Sequence, residues 1–292
     1  MQLDELTRII QAAGGAPNAI GYAECLLTKL NRLEATNAYG ALIAQLRAAR
    51  EQGDFRGRVL EVNFADLFVE NGLDLEYGAK QGMKGDVDFC WSVADHKVFV
   101  EMKLLGQDKA TRDSIRQQLD CVGVSSTFIT EDTRDVARIQ LDMVQKSSSR
   151  KFNPKPEANW INLVGIDVSE LQLGAVDLCD CLLAAGGNTL ASRHCDAAFL
   201  RANVVGVFES LADEGLTADQ KEWIARVHKV PTETPHPRSY VHGVLFLFRE
   251  PREGAALSYA LNAAIVWNPA LVSRDVGDKI GPALHSVIPF AK

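Results

Sequence analysis

The chain has 292 residues, 47% of them hydrophobic, so it can bury a large core as one big domain or as a core domain with an added part. Its formal net charge of −7 argues against binding nucleic acid through overall charge, although a local basic groove is compatible with it. No apolar stretch approaches the ~20 residues of a membrane span, and the opening MQLDELTR lacks the features of a signal peptide. We therefore expect a cytoplasmic protein with reduced cysteines and no membrane contact.

Residues 1–50 are predicted to form a helical N-terminal extension, and residues 51–292 the main domain. Apolar residues recur at helical spacing in the extension, which is interrupted at Gly14-Gly-Ala-Pro17 and near Thr36-Asn37. Nothing in this part of the sequence indicates chemistry.

The segment 55–70 has the pattern of an amphipathic helix that ends before Asn71-Gly72. Leu60, Phe64 and Phe68 belong to its apolar stripe, and Glu61 lies beside that stripe. Since most helical glutamates are exposed, Glu61 by itself indicates a solvated flank of the helix.

Residues 82–105 predict a β-hairpin. The segments 88–93 and 97–103 are rich in β-branched and aromatic residues, and the polar residues between them supply the turn. An even number of loop residues allows the register in which Phe89 lies opposite Met102 and all pairs on that face are apolar. The other face then pairs Asp88 with Lys103 and Cys90 with Glu101. A slip of one residue would mix polar and apolar side chains on both faces.

This register brings Asp88, Glu101 and Lys103 together on one face of the hairpin. Two carboxylates and an ammonium against a core are costly unless they have partners or a function. The carboxylates suit Mg²⁺, which takes oxygen ligands, and Lys103 is placed to act on an attacking water or to neutralise a phosphorane. The grouping indicates a site that hydrolyses phosphodiesters.

The segments Gly85-Asp-Val-Asp88 and Glu101-Met-Lys103 resemble the signature of the PD-(D/E)xK nuclease superfamily, which has the restriction-endonuclease-like fold. In that family the first Asp begins one core strand and the ExK motif lies on the next strand. Val87 stands where the family has its proline, and Asp86 competes with Asp88 for the role of the first Asp. A match to so short a motif depends on its strand context.

The resemblance implies an α/β/α sandwich with a mixed central sheet and a nuclease that uses Mg²⁺, or Mn²⁺ in its place. Asp88 and Glu101 would hold the metal, the Met102 carbonyl would add a ligand, and Lys103 would act on the attacking water. It also gives Glu61 a second interpretation, because the first helix of the family often carries a glutamate that completes the metal site.

A second helix is predicted at 133–146, after a polar helix at 109–119 and an apolar stretch at 122–129. The resemblance allows Gln140 on this helix to reach the site, in competition with Gln117 and Gln118. The most basic segment follows, with Lys146, Arg150, Lys151 and Lys155. These side chains either contact phosphates or are simply solvated.

Two nearly continuous apolar runs, at 160–168 and 240–248, predict strands that are buried on both faces. The region 170–230 is predicted to be mainly helical, with breaks at Gly186-Gly187 and Gly215. The segment 260–267 resembles the strand that closes the fold in some bacterial members of the superfamily. Together with the hairpin, these elements predict α/β/α layering. The spacing of Cys179, Cys181, His194 and Cys195 does not match a zinc site, so buried free thiols are expected.

Two classes of function remain. The first is a Mg²⁺-dependent nuclease for which DNA rather than RNA is the expected substrate. The second is a catalytically silent nuclease-fold protein that binds nucleic acid or protein. The resemblance leaves room for a homodimer, since many nucleases of this fold act as dimers, and the acidic balance leaves room for a partner subunit that supplies specificity.

Overall fold

The computed structural model describes residues 1–12, 19–106, 113–114, 117, 121, 132–147, 151–171, 176–195, 201–209, 215–231, 233–251 and 259–289. The helices are α1 (Leu3–Ala12), α2 (Ala19–Ala35), α3 (Gly40–Ala48), α4 (Gln52–Glu70), α5 (Asp132–Ser147), α6 (Leu178–Ala191), α7 (Ala218–Val227) and α8 (Arg274–His285), with a short 3-10 helix at Pro237–Ser239. The strands are β1 (Glu76–Ala79), β2 (Val87–Val93), β3 (His96–Leu104), β4 (Trp160–Asp167), β5 (Gly243–Pro251) and β6 (Tyr259–Trp267).

The six strands form one mixed sheet in the order β1-β2-β3-β4-β5-β6. Strands β1, β2 and β3 form an antiparallel meander, β4 and β5 lie parallel to their preceding neighbours, and β6 returns antiparallel to β5. The chain between β3 and β4 includes α5, as expected for a connection between parallel strands.

The central strands are apolar on both faces because helices cover both faces. Leu163 and Leu245 belong to a core shared with α1–α4 and α8. Val164 and Phe246 belong to a second core shared with α5–α7. The predicted α/β class with a mixed sheet is therefore confirmed. Helices α1–α3 share a core with α4, so these three helices pack against the rest of the chain.

Most predicted elements are present, with ends that differ by a few residues. The predicted break at Gly186-Gly187 is a kink within α6, where Gly187 has φ of 66°. Strand β1 and helix α8 were not predicted. The predicted apolar stretch at 122–129 lies outside the described residues, as does the predicted helix at 109–119 apart from 113, 114 and 117, which are helical.

The hairpin of β2 and β3 has a different register from the predicted one. Phe89 lies opposite Val100 rather than Met102, and Val93 lies opposite His96. The turn is Ala94-Asp95, with Ala94 in the left-handed region at φ of 49°. The register is shifted by two residues, and side chains alternate with a period of two, so every residue keeps its predicted face. The predicted pairing of Asp88 with Lys103 is therefore wrong, although both lie on one face.

The expectation of free thiols is wrong for two cysteines. Cys179 at the start of α6 and Cys195 beyond its end form a disulfide. Cys181 is a buried free thiol, as expected. Within the part of the chain that the structure describes, no helix is long and apolar enough to cross a membrane.

Candidate active site

Asp88 and Glu101 lie on the same face of neighbouring strands. Asp88 follows the first residue of β2, and its Oδ2 accepts a 2.8 Å hydrogen bond from the backbone N–H of Met102 on β3. Glu101 lies in β3 with a side chain that is 0% exposed, whereas Asp88 is 12% exposed. The antiparallel pairing of β2 with β3 thus places one buried and one partly accessible carboxylate side by side.

The cation between these carboxylates is Lys151 and not Lys103. The Nζ atom of Lys151 lies 2.6 Å from Glu101 Oε1 and 3.5 Å from Asp88 Oδ1. Burial by itself lowers the pKa of Lys151, but the charges of Asp88 and Glu101 outweigh it and raise that pKa above its usual value. Lys151 is therefore held in its charged form.

The chain around Lys151 is fixed by contacts with the second core and with the loop between β1 and β2. Phe152 is buried in the second core, and the backbone N–H of Asn153 donates a 2.7 Å hydrogen bond to Gln81 Oε1. Gly85 lies against the lysine, because a Cβ at this position would come within 3.1 Å of Lys151 Cγ. The position of Lys151 thus follows from packing on both sides.

Glu61 is buried on α4 next to this group. Arg58, one helical turn earlier, donates to both of its carboxylate oxygens at 2.8 and 2.7 Å, and the Tyr77 hydroxyl donates to Oε2 at 3.1 Å. Burial, followed by the nearby charge of Asp88, raises the pKa of Glu61 to about 7. Glu61 is therefore not a solvated flank of α4, and it titrates in the field of Asp88.

Lys103 lies on the same face of β3, but its ammonium group forms an ion pair with α5. Its Nζ atom is 3.3 Å from Asp142 Oδ1, and its side chain is 35% exposed. The side chain of Met102 packs into the first core, and its backbone N–H donates the hydrogen bond to Asp88. A role for the Met102 carbonyl as a ligand stays a prediction.

Gln140 does not contribute to this site. It is fully buried, its Nε2 donates to the carbonyls of Ala184 and Val205, and its Oε1 accepts from Trp223 Nε1, each at 2.8 Å. A side chain held in this way presents no atom to a nucleic acid. Of the other predicted contacts with nucleic acid, Arg150 and the side chain of Lys146 lie outside the described residues, and Lys151 lies in the acidic site.

The described residues contain no group of three His, Cys, Asp or Glu side chains that converges as a metal site would. Asp88 and Glu101 nevertheless share one cation, the Lys151 ammonium. Mg²⁺ is often bound by only one or two protein carboxylates together with water and substrate oxygens. The pair Asp88 and Glu101 therefore fits a hard divalent ion, whereas both oxygens of Glu61 are already engaged by Arg58.

Sequence reasoning missed Arg58, Tyr77 and the role of Lys151. The spacing of Arg58 and Glu61 along a helix was a usable signal, because residues three apart lie on the same helical face. Tyr77 lies on the short strand β1, which was not predicted. No pattern in the sequence links Lys151 to Asp88 or Glu101.

Comparisons with protein-family models, with curated proteins and with solved structures found no match to this chain.

Proposed function

We propose that this protein is a metal-dependent nuclease that hydrolyses phosphodiester bonds, with Asp88 and Glu101 as the metal-binding pair. The observation that supports this proposal is that two carboxylates on adjacent strands share the Lys151 ammonium. Asp88 near the start of β2 and Glu101 on β3 also agree with the strand context of the PD-(D/E)xK resemblance. The restriction-endonuclease-like fold is part of this proposal.

Bound Mg²⁺ or Mn²⁺ would supply Lewis-acid stabilisation of the phosphoryl oxygen and a water of lowered pKa. Asp88 and Glu101 would hold the ion. Glu61, with its pKa raised to about 7, is about half protonated near pH 7 and so carries less negative charge beside Asp88 than an ordinary glutamate would. Lys103 acts on the attacking water, as the signature implies, once it leaves its ion pair with Asp142.

The substrate is nucleic acid, with DNA preferred over RNA. A depression of about 820 Å³ is lined among others by Cys90 and Phe99. These residues are two positions along their strands from Asp88 and Glu101, which do not themselves line the depression. Lys80 and Lys97 line it together with Asp74 and Glu76, and the two lysines would provide cations for phosphates.

The test is cleavage of supercoiled plasmid, linear DNA and structured RNA in Mg²⁺ or Mn²⁺. We expect cleavage by the unaltered protein and a loss of roughly 100-fold or more in Asp88→Asn and Glu101→Gln, the size typical of groups that stabilise a transition state electrostatically. Asp95→Asn is the matched control, because Asp95 is exposed in the hairpin turn. Absence of cleavage on all three substrates, or equal cleavage by all variants, would contradict the proposal.

A catalytically silent, nucleic-acid-binding protein of the same fold is the second candidate. The ion pairs of Lys151 and Arg58 favour it, since they neutralise the acidic group without a metal. Such a protein would bind DNA or RNA in fluorescence anisotropy with EDTA present, and Asp88→Asn would leave that affinity unchanged. Metal-dependent cleavage that requires Asp88 excludes this candidate.

A further inference from the structure

We propose that Lys151 is a built-in competitor of the divalent ion: it occupies the Asp88 and Glu101 pair in the metal-free protein and must leave it when the ion binds. This inference rests on the metal site of the proposed function. It gives Lys151 a role that differs from both sequence-based interpretations of the basic segment, phosphate contact and simple solvation.

The first argument is electrostatic. The Glu101 side chain is 0% exposed, and a buried carboxylate without a cation is strongly unfavourable. Lys151 lies within 3.5 Å of both carboxylates and provides that charge. The metal-free site is therefore stable because its counter-ion belongs to the chain.

The second argument is steric. The ammonium lies 2.6 Å from Glu101 Oε1 and 3.5 Å from Asp88 Oδ1. A Mg²⁺ ion that took these two oxygens as ligands would lie about 2.0–2.1 Å from them. The two cations cannot occupy that position together, and their like charges repel each other. Binding of the ion therefore requires displacement of the lysine.

The third argument is that the lysine can move without unfolding its surroundings. Phe152 and Asn153 fix the neighbouring backbone, whereas the lysine side chain is flexible and 27% exposed. A displaced Nζ stays close to the site and faces solvent. Lys151 thus sets the affinity for the ion through a change of its side-chain conformation.

Lys103 provides the matched control. It lies on the same face of β3 two residues from Glu101, but its charge is paired with Asp142. Substitution of either lysine by methionine removes one positive charge and keeps most of the apolar stem. Only Lys151 competes for the carboxylate oxygens, so the two variants separate direct competition from a general change in charge.

The experiment is titration calorimetry with Mn²⁺ on the unaltered protein, Lys151→Met and Lys103→Met. We expect Lys151→Met to bind Mn²⁺ roughly tenfold more tightly or better. A tenfold change in affinity corresponds to the lower end of the coupling energies measured between close charge pairs. Lys103→Met should bind Mn²⁺ with an affinity within about threefold of that of the unaltered protein, because an exposed ion pair contributes little. Equal affinity of the unaltered protein and a folded Lys151→Met overturns the inference, as does the absence of Mn²⁺ binding to both.

A second measurement does not depend on the folding of Lys151→Met. In protein labelled with ¹³C at the lysine Cε, Mg²⁺ titration should shift the Lys151 resonance, which is assigned by its loss in the charge-conserving Lys151→Arg. An unshifted Lys151 resonance at saturating Mg²⁺ overturns the inference. Both readouts are independent of cleavage, so a nuclease with an unmoved Lys151 and a cation-binding protein without cleavage are distinguishable outcomes.

Discussion

Gln140 shows how burial changes the meaning of a single polar residue. A glutamine on the helix after the hairpin suggested a contact with nucleic acid. In the structure its amide links α5, α6 and α7 through Ala184, Val205 and Trp223. Because a buried amide must have its hydrogen bonds satisfied, its role here is to hold these helices together.

We predict that Gln140→Leu lowers the free energy of unfolding by roughly 3 kcal/mol or more, since each buried polar group left without a partner costs about 1–3 kcal/mol. Urea denaturation measures this change. Gln117→Ala is the control, because Gln117 is exposed. Unchanged stability together with weaker DNA binding would instead support the contact suggested by the sequence.

Glu61 should impose a pH dependence on stability. Its pKa is raised to about 7 in the folded protein by burial and by Asp88, from the ordinary value of 4.5. The folded state therefore binds the proton more tightly, and this contribution is fully present below pH 4.5 and is lost as the pH rises through 7. Glu61→Gln, which cannot titrate, should lose less stability over this window in urea denaturation at a series of pH values. A parallel pH profile for the two proteins would show that Glu61 titrates normally.

At the scale of elements, α6 depends on a kink and a covalent link. Gly187 has φ of 66°, a conformation that favours glycine, and the chain bends there. The bend is accompanied by a disulfide between Cys179 and Cys195, which lie 16 positions apart. The disulfide closes a loop around the whole of this kinked helix.

We predict that Cys179→Ser destabilises the oxidised protein by about 3 kcal/mol, the value for a loop of this length in the chain-entropy account. Dithiothreitol should lower the melting temperature of the unaltered protein and leave that of Cys179→Ser unchanged. Cys25→Ser, at an exposed free cysteine, is the control. Titration of all six cysteines as thiols in the native protein without reductant would contradict the link.

At the scale of the molecule, two buried histidines and one half-buried histidine are held in their uncharged form. Burial lowers the pKa values of His228 and His242 to about 4 and, with the adjacent Arg238, that of His236 to about 3. The unfolded chain binds these protons near pH 6.5 and the folded chain does not. Their contribution to stability is therefore fully present above pH 6.5 and is lost as the pH falls toward 4.

We predict that His242→Asn reduces this acid-induced loss of stability. The Nδ1 atom of His242 accepts a 3.1 Å hydrogen bond from the backbone N–H of Asn162, which an asparagine oxygen can replace without titrating. Urea denaturation between pH 7 and 4 should show a shallower slope in this variant. His194→Asn, at an exposed histidine, should keep the original slope. Equal slopes in all three proteins would contradict the assignment to His242.

The sequence by itself determined the elements and faces that depend on local periodicity. The apolar runs of β4 and β5, the helical stripes of α4 and α5, and the alternation that puts Asp88 and Glu101 on one face were all predictable, since each follows from spacing along the chain. Helix α8 and the four-residue strand β1 were not predicted, and β1 is too short to give a clear pattern.

Only the tertiary structure decided the register of the hairpin and the cation at its acidic site. A shift of two residues leaves every side chain on its face, so the hydrophobic pattern cannot detect it, and the turn at Ala94-Asp95 selects the register. Lys151 reaches Glu101 from a loop 50 positions away along the chain. Such a contact depends on packing between distant segments, and so the sequence supplied both carboxylates but assigned the wrong lysine as their neighbour.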